Sequence, residues 1–369
     1  MQVARYFSKN YDKARRKFFA ACEVSSTPVE RYVNPIAGPD GIELSADVAR
    51  IGPMSASRLL IMVSGTHGPE FFCGSGCQIG WILEGGGLRL PLDTAVLLVH
   101  GINPYGAAWI RRETEDNIDL NRNFLDHSKP HPENAEYAAL HDHLLLQDLE
   151  GEKRRQSDAA LASFRAAQGE IVYMRGLSSG QYSHPDGLYY GGRKSAWSNV
   201  TTHAILAKHA AQAKKVALID YHTGYGPFGY GTLMSMEKGG AALARARRWF
   251  GHSLMAPFAD AGEQLFTVSG HTYGGYVAAL PGAQVTAICL EYGTFDLERD
   301  VRVHRQENWL WRSGRTEPSL VRRIKEEFLS QFYPDTLDWK EMIFMRSQQV
   351  IGQALNGLAE DDGSVDASV

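Results

Sequence analysis

Residues 58–70, RLLIMVSGTHGPE, decide how the chain is read. The apolar run 59–63 stops at Ser64-Gly65-Thr66, and a short apolar run bounded by turn residues predicts a buried strand. The turn that follows presents His67 and Glu70. A strand ending there carries both side chains to the carboxyl edge of a sheet, where open α/β sheets keep their sites. An imidazole and a carboxylate at that spacing can reach one zinc ion from a single turn. Structural zinc takes four protein ligands, whereas hydrolytic zinc takes three and keeps a position open for water. The rest of the chain is therefore searched for a third ligand, a base and groups that hold a substrate.

The 369 residues, 44% apolar and 22% charged, have the composition of an ordinary globular protein. Lysine plus arginine (38) against aspartate plus glutamate (42) gives a net charge of −4. That balance offers no electrostatic case for nucleic acid or an anionic membrane. No apolar run approaches the roughly 20 residues of a membrane span. The N-terminus, MQVARYFSKNYDKARRKFF, is basic but lacks the apolar segment of a secretory signal, so a cytoplasmic location is expected. Cys73 and Cys77, in FFCGSGCQIGWIL, read as small buried thiols, and with Cys22 and Cys289 they form no disulfide framework.

Along the chain, an N-terminal helix and a strand near 42–48 lead into the opening strand. Phe71–Leu83 reads as a helix ended by three glycines, and Thr94–His100 as the next buried strand. This order predicts an α/β fold, a mixed but mostly parallel sheet flanked by helices. Residues 103–124 pack arginines, carboxylates and asparagines into a loop-like region. Helices are expected over 132–149 and 150–168. Residues 171–199, dense in glycine and aromatics, are expected to form a substrate-lining loop, with Ser198 capping a helix that runs to Ala213.

The apolar run 216–219 ends in Asp220-Tyr221-His222, which makes His222 the third ligand. Asp220, two positions back, shares its face of the strand and can hold an imidazole. Strands are also expected at 233–236 and 266–269, around a helix over 241–250. The run 283–290 delivers Glu291; a carboxylate ending an apolar strand must be paired or put to use, so Glu291 is the candidate base. From 297 to 358 the chain reads as helical, and the acidic tail 359–369 as disordered. Residues 1–50 are taken as a lead-in to a single catalytic unit, 51–358, with an insertion around 127–199.

Five segments in order, HGPE at 67–70, NPYG at 103–106, NIDLNRNF at 117–124, DYHTG at 220–224 and LEYG at 290–293, resemble the zinc carboxypeptidase superfamily. Phrases such as QYSHPDGLYYGG are similar to a mainly bacterial branch of it. The resemblance implies one zinc ion per chain held by His67, Glu70 and His222, with Glu291 as base and then acid. It implies that Arg112, or failing that Arg111, stabilises the oxyanion. Asn121 and Arg122 would grip the terminal carboxylate of the substrate, and Asp119 would orient His67. The tyrosine that closes over a bound peptide has no clear match; Tyr273 and Tyr276 are the candidates.

The expected activity is that of a metallocarboxypeptidase-like hydrolase acting on a peptide or amide beside a free carboxylate. Within the same superfamily, aspartoacylase and succinylglutamate desuccinylase remove acyl groups from N-acyl amino acids, the main alternative. Those enzymes tend to carry a β-rich segment after the base, where this chain reads as helical. A catalytically silent binding module would have lost a ligand or the base, and neither is lost.

Overall fold

The computed structural model describes residues 3–260 and 268–360. Seven strands form one mixed sheet: β1 (Val29–Val33), β2 (Ser45–Ile51), β3 (Arg58–Ser64), β4 (Thr94–His100), β5 (Lys215–Phe228), β6 (Gly231–Met234) and β7 (Gln284–Gly293). Their order across the sheet is β1-β2-β4-β3-β5-β7-β6. The central strands β4, β3, β5 and β7 are mutually parallel, and β2 and β6 run against them. The expected mixed, mostly parallel sheet is thus present.

Alternation along the central strands builds a core on each face. Leu60, Met62, Ala217, Ile219, Tyr221, Ile288 and Leu290 face the helices Phe71–Leu83 and Leu337–Ala359, which contribute Phe72, Ile79, Phe344 and Ile351. Leu59, Ile61, Val63, Val216, Leu218 and Ala287 face the helices Trp197–His209 and Thr272–Ala278, with Ile205, Leu206 and Tyr276. By the same period of two, Asp220 and His222 lie on the face of Val216 and Leu218, and Glu291 on that of Ala287.

The helix Phe71–Leu83 and strand β4 have the bounds read from sequence. The helical C-terminal segment is also as expected: Leu297–Ser313, Pro318–Phe332 and Leu337–Ala359.

Four local readings are corrected. The edge strand β1 is additional, a five-residue segment with only partial burial and no apolar run. The region 103–124 contains a helix, Pro104–Trp109, capped by Asn103, whose Oδ1 accepts from Gly106 N at 2.9 Å. Residues 171–199 are not all loop, because Glu170–Ser178 is a helix. Ser198 does not cap the next helix; it is buried inside Trp197–His209, which starts from Ala196. The strand expected at 266–269 falls partly outside the described residues, and Val268 and Ser269 are irregular. Residues 361–369 of the expected disordered tail also lie outside them.

The stretch expected to be an insertion contains three helices. Ala135–Leu144, Glu152–Gln168 and Glu170–Ser178 pack around their own apolar cluster of Tyr137, Leu140, Leu144, Leu161, Tyr173 and Leu177. No helix among the described residues is long and apolar enough to cross a membrane.

Candidate active site

Strand β3 ends at Ser64, and its turn brings His67 and Glu70 to the carboxyl edge of the sheet. The turn is pinned from behind. A Cβ on Gly68 would stand 2.0 Å from the carbonyl carbon of Gly106 and 2.1 Å from Arg111 O, so the turn and the NPYG helix meet backbone to backbone. Next to β3, strand β5 delivers His222, and β7 pairs with β5 in a register that sets Glu291 directly beside His222.

Three side chains converge. His67 Nδ1 lies 2.9 Å from Glu70 Oε1, and His222 Nδ1 lies 3.0 Å from Glu70 Oε2. All three residues are buried, and their ligand atoms fall within 4.8 Å of one another. Behind them, His67 Nε2 meets Asp119 Oδ1 at 3.2 Å and His222 Nε2 meets Asp220 Oδ2 at 3.1 Å. With a carboxylate beside each Nε2, the tautomer that carries its proton there turns each Nδ1 lone pair toward the centre of the group. Two imidazoles and one carboxylate, each backed by a further hydrogen bond, fit a metal ion.

The surrounding electrostatics point the same way. Burial opposes the charged form of Glu70, yet His67 and His222 more than offset it and hold the carboxyl well below the usual range. Burial likewise opposes His222 protonation, but Asp220 and Glu70 raise its proton affinity well above that of a free imidazole. For Asp119, Arg112 and His67 overcome burial and keep the carboxyl well below its ordinary value. The pocket stabilises positive charge at its centre.

Glu291 lines the same cleft. Its Oε1 accepts from Tyr225 N at 3.2 Å, and Cys289 Sγ lies 3.7 Å from Oε2. Burial, then the nearby Glu70 charge, pushes its pKa up to about 7. The cavity bounded by described residues has a volume of about 290 Å³.

The two adjacent arginines part company. Arg112 lines the cleft, its Nε donating to Asp119 Oδ2 at 3.0 Å and its Nη1 lying 3.4 Å from Glu70 Oε1. Arg111 points into the protein, where Nε donates to Glu307 Oε1 at 3.0 Å and Nη2 to Asn117 Oδ1 at 2.7 Å. Its guanidinium lies over Trp311, 4.5 Å from the ring centroid.

Asn121 and Arg122 also line the cleft. Asn121 Oδ1 accepts from Thr272 N at 2.9 Å and from the Thr272 hydroxyl at 3.1 Å, and among the described residues its Nδ2 makes no hydrogen bond. Arg122 donates from Nε and Nη2 to the Ser178 carbonyl at 3.1 and 2.6 Å and from Nη1 to the Asn121 carbonyl at 2.5 Å, so the end of the helix Glu170–Ser178 occupies one edge of the guanidinium. Tyr273 and Tyr276 do not line the cleft. Tyr276 is buried in the core, and the Tyr273 hydroxyl donates to Glu237 Oε1 at 2.9 Å in a separate depression.

Two tyrosines not singled out from sequence do line the cleft, Tyr189 and Tyr225. Tyr189 has a left-handed backbone (φ 54°), which costs an aromatic residue about 1–3 kcal/mol, and its ring lies under the Arg112 guanidinium at 5.4 Å. Asp300, Met174 and Leu177 complete that wall. Tyr189 sits in the aromatic and glycine-rich stretch expected to line the substrate; Asp300 has no local sequence signal.

Fold and site together define an α/β protein with a cleft built around a potential metal-binding His-Glu-His group. The chain belongs to the family described as "Protein of unknown function (DUF2817)", whose model matches residues 7–346. No curated protein matches the chain. Among solved structures, it is similar to carboxypeptidase A from Helicoverpa armigera, with 13% identity, TM-score 0.49 and coverage of 96% of this chain and 75% of that one. It is similar to murein-tripeptide amidase MpaA from Escherichia coli O157 at 14% identity and TM-score 0.35, over 80% and 91% of the two chains. The succinylglutamate desuccinylase from Chromobacterium violaceum is similar at 14% identity and TM-score 0.35, over 88% of this chain and 73% of the other.

Proposed function

We propose that this chain is a zinc-dependent hydrolase that cleaves a peptide or amide bond next to a free carboxylate. The observation that carries the reading is the convergence of His67 Nδ1, His222 Nδ1 and the Glu70 carboxylate, with Glu291 facing the same cleft. These three residues would hold one zinc ion, which when bound supplies a Lewis acid that acidifies water and polarises a carbonyl.

The chain's own groups do the remaining work. Glu291 takes the proton of the attacking water as its oxygen adds to the scissile carbonyl carbon. The same carboxyl then gives that proton to the leaving nitrogen as the C–N bond breaks, yielding a carboxylic acid and an amine. Arg112, fixed by Asp119, meets the negative charge that develops on the carbonyl oxygen. The substrate carboxylate is held by the Asn121 amide and by the guanidinium protons of Arg122 directed neither at the Ser178 nor at the Asn121 carbonyl.

The volume of about 290 Å³ lies at the small end for ligand sites, which favours a short substrate. It also supports a second reading with the same chemistry, deacylation of short N-acyl amino acids. The test is metal content and hydrolysis of a panel, in wild type and Glu291→Gln. The panel contains peptides with free and amidated C-termini and short N-acyl amino acids. One zinc per chain and turnover confined to free-carboxylate peptides, lost in Glu291→Gln, are expected. Turnover of N-acyl amino acids alone moves the assignment to the second reading, and protein that takes up no zinc overturns both.

A further inference from the structure

One wall of the cleft carries a carboxylate that the hydrolysis proposed above leaves unused. Asp300, on the helix Leu297–Ser313, lines the cavity beside Met174, Leu177, Tyr189 and Leu297. Its Oδ1 lies 3.2 Å from His304 Nδ1. That nitrogen also meets the Asp300 main-chain carbonyl at 3.1 Å. Against the effect of burial, Asp300 raises the proton affinity of His304, so the imidazole is a cationic partner for the buried Oδ1. The accessible Oδ2 makes no hydrogen bond among the described residues. Among the described residues, no lysine or arginine forms an ion pair with Asp300. His304 is itself wedged between Phe328 and Phe332, at ring separations of 5.1 and 5.3 Å, and so holds the carboxylate in position. The hydroxyl of Tyr189, on the same wall, makes no hydrogen bond within the described protein.

His304 covers one oxygen of this carboxylate; the other, flanked by methionine and leucine side chains, is poorly hydrated and gains from a second, cationic donor. The same cavity offers Asn121 and Arg122 to an anion. The volume of about 290 Å³ bounded by described residues favours a short molecule. The geometry points to an ammonium subsite at Asp300, so that the substrate is a short zwitterionic amide. Its free carboxylate goes to Asn121 and Arg122, and its free amino group pairs with Asp300 while the Tyr189 hydroxyl accepts a further N–H. This inference rests on the hydrolase reading for its carboxylate end. A role for Asp300 confined to anchoring His304 would leave discrimination between amines and amides untouched.

The experiment compares a set of dipeptides with their N-acetyl counterparts on the zinc-loaded full chain. Wild type is expected to favour the free amine by about tenfold or more in kcat/KM, the effect of one charge-assisted hydrogen bond. In Asp300→Asn that ratio falls toward one. Leu297→Lys, which keeps the Asp300–His304 contact and adds a competing ammonium on the same wall, lowers the ratio in the same direction and carries the test if Asp300→Asn does not fold. The same pairs are titrated calorimetrically into Glu291→Gln, with and without Asp300→Asn, so that binding is read without turnover. A ratio unmoved by both substitutions, or a wild-type preference for the acetylated partner, overturns the subsite. A shifted Kd ratio with no hydrolysis by wild type upholds the subsite and overturns the hydrolase reading. Failure of both members of every pair to bind overturns the two together.

Discussion

The side of the cleft that carries the His-Glu-His group and the side formed with the helix Glu170–Ser178 both present charged groups, yet different forces hold them. His222 and Glu291 stand on neighbouring parallel strands, and His67 and Glu70 follow the strand between β4 and β5. Their positions descend from main-chain ladders with a core on each face. Arg122 is instead tied to the Ser178 carbonyl at the end of the helix Glu170–Ser178, Tyr189 has a left-handed backbone, and Asp300 leans on His304. The first side has little freedom to change without losing the sheet. The second rests on few contacts, each alterable alone, and is where substrate choice can vary.

The comparison is broken most forcefully on the rigid side. His222→Ala should abolish zinc binding, measured by elemental analysis, and with it all turnover, because the remaining pair cannot complete a three-ligand site. Retention of one zinc per chain would show that His222 is not a ligand. Glu291→Gln should keep the metal and lower kcat by about 10²–10⁴-fold, the range for a positioned acid–base. Arg112→Met should cost about 10²–10³-fold in kcat, as for loss of one oxyanion donor. A fall confined to KM would make Arg112 a binding group.

The pH dependence sharpens the same side. Burial and Glu70 raise Glu291 to about 7 in the metal-free protein, so it is protonated below that point and a base above it. Activity should therefore rise with pH along an acidic limb, and a bound dication will draw its midpoint below about 7. A kcat/KM profile with no such limb would remove Glu291 from the base role. The smallest effect is expected at Tyr273→Phe, which should change kcat/KM by less than about twofold, since its hydroxyl bonds to Glu237 outside the cleft. A tenfold loss would bring back the closing-tyrosine assignment.

What could be read from sequence follows the same division. Buried parallel strands are nearly uninterrupted apolar runs, so 59–63, 94–100, 216–219 and 283–290 declare both themselves and the polar residue at each end. The edge strand β1 has no such run, because only one of its neighbours and part of its surface are covered. Adjacent arginines cannot be told apart by spacing; the turn at Ile110, itself left-handed, sends Arg111 inward and Arg112 to the cleft. Ser178 and Asp300 stayed hidden for another reason. Their parts in the cleft arise from contacts across long sequence separations, and neither has a local pattern that announces them. Tyr189 lay in the stretch expected to line substrate, but its left-handed backbone has no signature in a Tyr-Tyr pair.

The register of β5 against β7 has a mechanical consequence. His222 and Glu291 are direct partners across that pair, so a single interstrand spacing of about 4.8 Å separates their backbones. Hydrogen-bonded ladders resist compression and shear, and a slip of one residue would turn both side chains to the opposite face. The spacing between these two positions is consequently a fixed gauge machined into the backbone. Loops around the rim can be lengthened, shortened or re-aimed to admit another molecule, and the gauge keeps its setting.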